Sequence, residues 1–125
     1  MALKPSYNDK LHLPGLSKTE ILILALEASQ KLEWNIEEVT PEGARFEVPF
    51  NMYSHGEEIT FTIEPGSDGE VAVRSQSSSV QFVDYGKNRK NIQKLRETME
   101  EIKTSLTPEE LTQKAKDFEE ECNRP

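Results

Sequence analysis

Residues 44–73 read ARFEVPFNMYSHGEEITFTIEPGSDGEVAV, and apolar side chains recur in them at every second position. Ala44, Phe46, Val48 and Phe50 share one parity, as do Ile59, Phe61 and Ile63, and then Val71 and Val73. Successive side chains of a strand point to opposite faces, so a period of two marks strands buried on one side only. Asn51 to Gly56 and Pro65 to Gly69 supply turn residues between the runs. Connections this short join antiparallel neighbours, because a parallel return needs a crossover of a dozen residues or more. The opposite parity carries Arg45, Glu47, Glu58, Thr60 and Arg74. One face of the sheet is therefore wet, and helices have to cover the other.

Working outward, Trp34 to Thr40 is a further strand, closed by Pro41-Glu42-Gly43, and Glu70 to Ser77 completes the set. Before them, Ser17-Lys18-Thr19-Glu20 has the form of a capping box, with Leu16 and Ile21 spaced as a hydrophobic staple. Ile21, Leu24, Ala25, Ala28 and Leu32 then follow a helical stripe that should end near residues 31–33. After the strands, Ile92, Leu95, Met99, Ile102 and Leu106 form the stripe of a second helix. Thr107-Pro108-Glu109-Glu110 repeats the start signal for a third, which is narrow in its apolar face and strongly acidic. The expectation is an α+β fold of two layers: a four-stranded antiparallel meander with helices on one face, in the order α-β-β-β-β-α-α. Residues 1–16, with Pro5, Pro14 and Gly15, read as an irregular leader, 17–106 as the α+β domain and 107–125 as an acidic C-terminal helix.

The balance of 23 acidic against 15 basic residues gives the 125-residue chain a net charge of -8. That excess argues against nucleic acid or an anionic membrane surface as partner, and the outward strand positions carry no aromatic side chains on which bases could stack. Cys122 is the single cysteine, and His12 and His55 are the only histidines, so no zinc set can be drawn. His55 beside Glu57 and Glu58 reads as a hairpin turn. The longest apolar run, Ile21 to Leu26, is far too short to span a bilayer. A non-enzymatic, cytoplasmic protein with no cofactor and no direct membrane insertion is expected.

The charge reverses between Asp84 and Arg96, where Lys87, Arg89, Lys90, Lys94 and Arg96 face Asp84 alone. A helix N-terminus is already positive, so cations there are unfavourable unless something offsets them. In one reading Gly86 turns the chain, Asn88 caps the helix, and its amides with Lys87, Arg89 or Lys90 receive an anion or a partner's acidic segment, helped by serines such as Ser79. In the other, Asp84 and nearby acids neutralise the cluster and the cations point into water. The segment lacks the upstream glycine and the Ser/Thr after lysine of a nucleotide-phosphate loop, which excludes nucleotide hydrolysis of that type. The candidate binding residues are thus Ser79, Asp84, Gly86, Lys87, Asn88, Arg89, Lys90 and Asn91, in a protein-interaction or regulatory module or, alternatively, an anion or small-molecule binding domain centred on Gly86 to Asn91.

The run from Ser77 through Gln81 to Asp84-Tyr85-Gly86-Lys87-Asn88 and Asn91-Ile92 resembles an uncharacterised bacterial domain. That domain occurs alone or as a soluble appendage of multi-pass membrane proteins, rhomboid-like ones among them. The likeness covers residues 17 to about 105, and the family more often has tryptophan where Tyr85 stands. It implies a separate or fused protein partner and attaches no activity.

Overall fold

In this computed structural model, residues 6–49, 56–77 and 86–123 are described, and they make five strands and three helices. In chain order these are β1 (Ser6–His12), α1 (Lys18–Lys31), β2 (Asn35–Thr40), β3 (Gly43–Val48), β4 (Glu57–Ile63), β5 (Glu70–Ser77), α2 (Lys87–Ser105) and α3 (Pro108–Cys122). The strands form one antiparallel sheet in the order β1-β5-β4-β3-β2. The four-strand meander is present as β2 to β5, but the sheet has a fifth member and the element order begins with a strand.

That strand is the correction to the expected irregular leader: Tyr7 lies opposite Ser75, Asp9 opposite Val73 and Leu11 opposite Val71. Tyr7, Asp9 and Leu11 therefore share the inward face with the apolar row of β5. The alternation was interrupted in sequence because its middle member is a carboxylate. Asp9 is held from α2, where the Arg96 guanidinium donates to Oδ2 at 2.6 Å. The Lys10 amide (2.8 Å) and then Arg96 hold the Asp9 carboxyl below the ordinary aspartate value. The group is bound in its charged form, so its contribution is present above the unfolded pKa of about 3.9 and is lost as pH falls through the lower folded value. Asp9→Asn should cost at most about 1 kcal/mol at pH 7, a deficit constant to about pH 4 and fading below it in acid-series unfolding. A deficit that grew on acidification would contradict the assignment.

Helix α1 starts on the expected capping box, with the Glu20 amide donating to Ser17 Oγ at 3.1 Å and the Ser17 amide to Glu20 Oε1 at 2.8 Å. It ends in a paired closure: the Trp34 amide donates to Ser29 O and the Glu33 amide to Gln30 O, with Glu33 at φ 62°. This is the Schellman arrangement, in which one residue takes a left-handed conformation and the next turns back to the helix. Here it swings Trp34 under the sheet, 6.3 Å from the Phe46 ring.

All three helices lie on the inner side. α1 packs against β2 and β3, α2 against β5 and β1, and α3 against α1. The core joins Phe46, Ile59, Phe61, Val71 and Val73 of the sheet to Ile21, Leu24, Ile92, Leu95 and Met99 of the helices, all nearly inaccessible. The outer face is solvated through Glu58, Thr60, Thr62 and Arg74. Near the end of β1, the carbonyl of Gly69 accepts from the Leu13 amide at 2.8 Å. A Cβ on Gly69, at φ 77°, would sit 2.1 Å from Leu13 O, so this close approach requires glycine.

Candidate functional site

The turn from β5 into α2 was the candidate region, and the structure divides its residues into two groups. Gly86 is the N-cap of α2, at φ 75° and ψ 13°, and has no side chain to accept from the first-turn amides. Its φ selects glycine, and a Cβ there would meet nothing within 4 Å among the described residues. Lys87 opens the helix and is half-buried, while Arg89, Lys90 and Lys94 are exposed. Among the described residues none of these four cations makes an ion pair, although Lys10, Lys31, Arg45, Arg96 and Lys114 all do. Helical rotation puts Lys87, Lys90 and Lys94 on one flank of α2 and Arg89 with Arg96 on the flank facing β1.

The asparagines go the other way. Asn88 is 0 % exposed and Asn91 is buried too, so neither belongs to a solvated corner and Asn88 is not the cap. Asn88 Oδ1 accepts from Ser75 Oγ at 2.7 Å, and Asn88 Nδ2 donates to Ser77 Oγ at 3.2 Å. Asn91 Nδ2 donates to Glu57 Oε1 at 3.0 Å and to Ser75 Oγ at 3.3 Å. Glu57 begins β4 at 2 % exposure and lies directly opposite Ser77 in the sheet. Two helical amides thus tie the ends of β4 and β5 together through a buried carboxylate and two buried hydroxyls. Such a network is favourable when satisfied, because an amide or carboxylate without partners at this depth is costly. The consequence is positional: the network fixes where α2 starts, and so where its cations stand.

Ser75 and Ser77 are therefore internal acceptors and donors and do not serve an outside ligand. Ser79 and Asp84 lie outside the described residues, as do Ser78, Met52, Tyr53 and His55. The signal for the network was present in the sequence. Ser75 and Ser77 continue the inward parity of Val71 and Val73, Glu57 shares that of Ile59, and Asn88, Asn91, Ile92 and Leu95 form one stripe.

His12 Nε2 is 3.1 Å from Asp68 O and 3.8 Å from Glu70 Oε1, a surface contact. Among the described residues, no cluster of three His, Cys, Asp or Glu side chains could hold a metal ion. Among those residues, too, no helix is long and apolar enough to cross a membrane. Two clefts of about 450 and 230 Å³ open on the outer sheet face, beside Arg74 and Arg45 respectively. A third, of about 470 Å³, lies between β2, α1 and α3, lined by Leu22, Val39, Pro41 and Phe118 with exposed Cys122 at its side. None of these three is lined by residues 86–91.

A family model described as "Protein of unknown function (DUF1499)" matches residues 6–99, well over half of the chain, from β1 into α2. No curated protein matches the chain.

Proposed function

The chain belongs to the DUF1499 family, whose function is unknown, and from that premise we propose that it is a non-enzymatic interaction module whose cationic α2 start receives an acidic segment of a partner protein. The observation that carries this reading is the set of four cations, Lys87, Arg89, Lys90 and Lys94, without ion pairs among the described residues of a chain rich in acids. Lys87, Arg89 and Lys90 stand in the first turn of α2, where each cation costs roughly 0.3 to 1 kcal/mol at low salt, and a carboxylate bound there reverses the sign. The buried network supports the reading by holding α2 in place, so the cations are presented from a fixed frame.

A second reading, a small-anion site on the same turn, has its own support. α1 and α3 both start on capping boxes with glutamate in the first turn, whereas α2 starts on Gly86 with no acid there. First-turn amides and cations together suit a phosphate or carboxylate group.

Titrating an octa-glutamate peptide into the labelled protein at 20 mM and 300 mM salt separates these readings. The amides of residues 87–94 should shift, with affinity falling at the higher salt. The variant Lys87→Ala/Arg89→Ala/Lys90→Ala should bind about tenfold more weakly, which is the effect of losing about 1.4 kcal/mol. Equal binding by variant and parent would remove the interaction reading from this turn. Inorganic phosphate moving the same amides, with the peptide inert, would favour the small-anion reading.

A further inference from the structure

β2 is an edge strand, with β3 on one side and the end of the sheet on the other. All six of its residues, Asn35 to Thr40, are exposed, and Ile36 and Val39, at 39 % and 38 %, are the exposed large hydrophobics of the described residues. Their partners across β3 are Phe46 and Ala44, both buried on the inner face. The pairing of β2 with β3 shifts register between Ile36 and Glu38, a bulge at Glu37 that sets both Ile36 and Val39 on the core side of the sheet, at a place where the helices stop short of its edge. The apolar cleft beside Val39, between β2, α1 and α3, continues that uncovered strip.

From these features we infer that β2 and the cleft form a second docking surface, which takes an extended, alternately basic and apolar segment of a partner protein as a sixth strand. An added strand pairs with the open edge through main-chain hydrogen bonds on either side of the bulge at Glu37 and sends alternate side chains inward. Those inward side chains would enter the strip of Ile36, Val39 and Phe118. The charge of the partner follows from the rim, where Glu37, Glu38 and Glu42 on the strand side and Glu119 and Glu120 on α3 are all exposed. Arg45, 3.9 Å from Glu38, is the cation paired with this group.

A second copy of the chain fits this edge poorly. Antiparallel pairing of β2 with itself, centred on the strand, brings the bulged Glu37–Glu38 segment of one copy against that of the other, and like charges facing each other destabilise a ladder. The edge thus rejects itself while remaining open to a cationic strand. This surface is distinct from the α2 start in position and opposite in charge, so the inference stands apart from the function proposed above.

The test uses the full chain and the peptide (Lys-Val)4, followed by amide chemical shifts. Shifts at residues 35–40 together with 118–123 are expected, and Glu37→Lys/Glu38→Lys should weaken binding about tenfold. (Lys-Ser)4, with the same charge and no apolar side chains, should bind at least tenfold more weakly than (Lys-Val)4. Equal binding of the two peptides would mean plain charge attraction and overturn the proposal, as would shifts confined to α3. Concentration-dependent shifts at residues 35–40 without peptide would assign the edge to a second copy, again overturning it. Val39→Thr, near-isosteric and uncharged at an exposed strand position, polarises the strip without adding to its acidic charge, and unaltered (Lys-Val)4 binding by that variant would also count against the site.

Discussion

Replacing Asn91 with leucine is expected to lower the unfolding free energy by about 2 to 3 kcal/mol, read as a drop in urea midpoint with an unchanged slope. Leucine has the branched shape and heavy-atom count of asparagine with a greater volume, and a somewhat better helix propensity, so neither a cavity nor the helix itself is the source of the loss. The loss comes from the partners left behind. The Glu57 carboxylate and the Ser75 hydroxyl each lose a donor at a depth where water does not replace it. The damage should also be local before it is global: amides of residues 88–92 should exchange faster relative to those of 95–102 than in the parent. An unaltered midpoint would mean that the network contributes nothing to seating α2. Because the same helix start carries Lys87 and Lys90, Asn91→Leu should also weaken acidic-peptide binding without touching a cation.

Phe46→Ala is expected to be costlier, about 3 to 5 kcal/mol. Its ring is fully buried at the centre of β3, against Trp34 and between the helices and the sheet. Against a typical domain stability of 5 to 15 kcal/mol, a loss of that size leaves a marginal protein or none. Phe46→Leu, which keeps most of the volume, should cost much less. The fluorescence of Trp34, the single tryptophan, reports directly on this contact and should shift to the red in the alanine variant at low denaturant. A loss below 1 kcal/mol for Phe46→Ala would show that the inward row of β3 does not form the core.

The local signals of the chain were legible because they depend on neighbours in sequence. The capping boxes at Ser17 and Thr107, the period of two in β3 and β4 and the stripe of α2 each declare themselves within a few residues. β1 did not. Its partner is β5, and its inward row contains Asp9, whose presence inside makes sense only once Arg96 is known to stand above it. The candidate site was legible in its charge and not in its depth. Serine and asparagine near a turn suggest solvent, and only the parity of Ser75, Ser77 and Glu57 and the stripe that joins Asn88 and Asn91 to Ile92 and Leu95 pointed inward. Polar residues at core parity read as loop when taken one at a time and as a network when the strand and helix periods are extended through them.

The position of β1 has a consequence for the route by which the chain reaches this structure. Tyr7 meets Ser75, 68 residues away, whereas β2 to β5 pair with their immediate successors. Loop-closure entropy makes the hairpins the early contacts and the β1–β5 ladder a late one. Until β1 arrives, β5 presents a bare flank, which a β1 from another molecule can cover as well as its own. Refolding at high protein concentration therefore favours strand exchange at this edge, the opposite side of the sheet from the one guarded by Glu37 and Glu38.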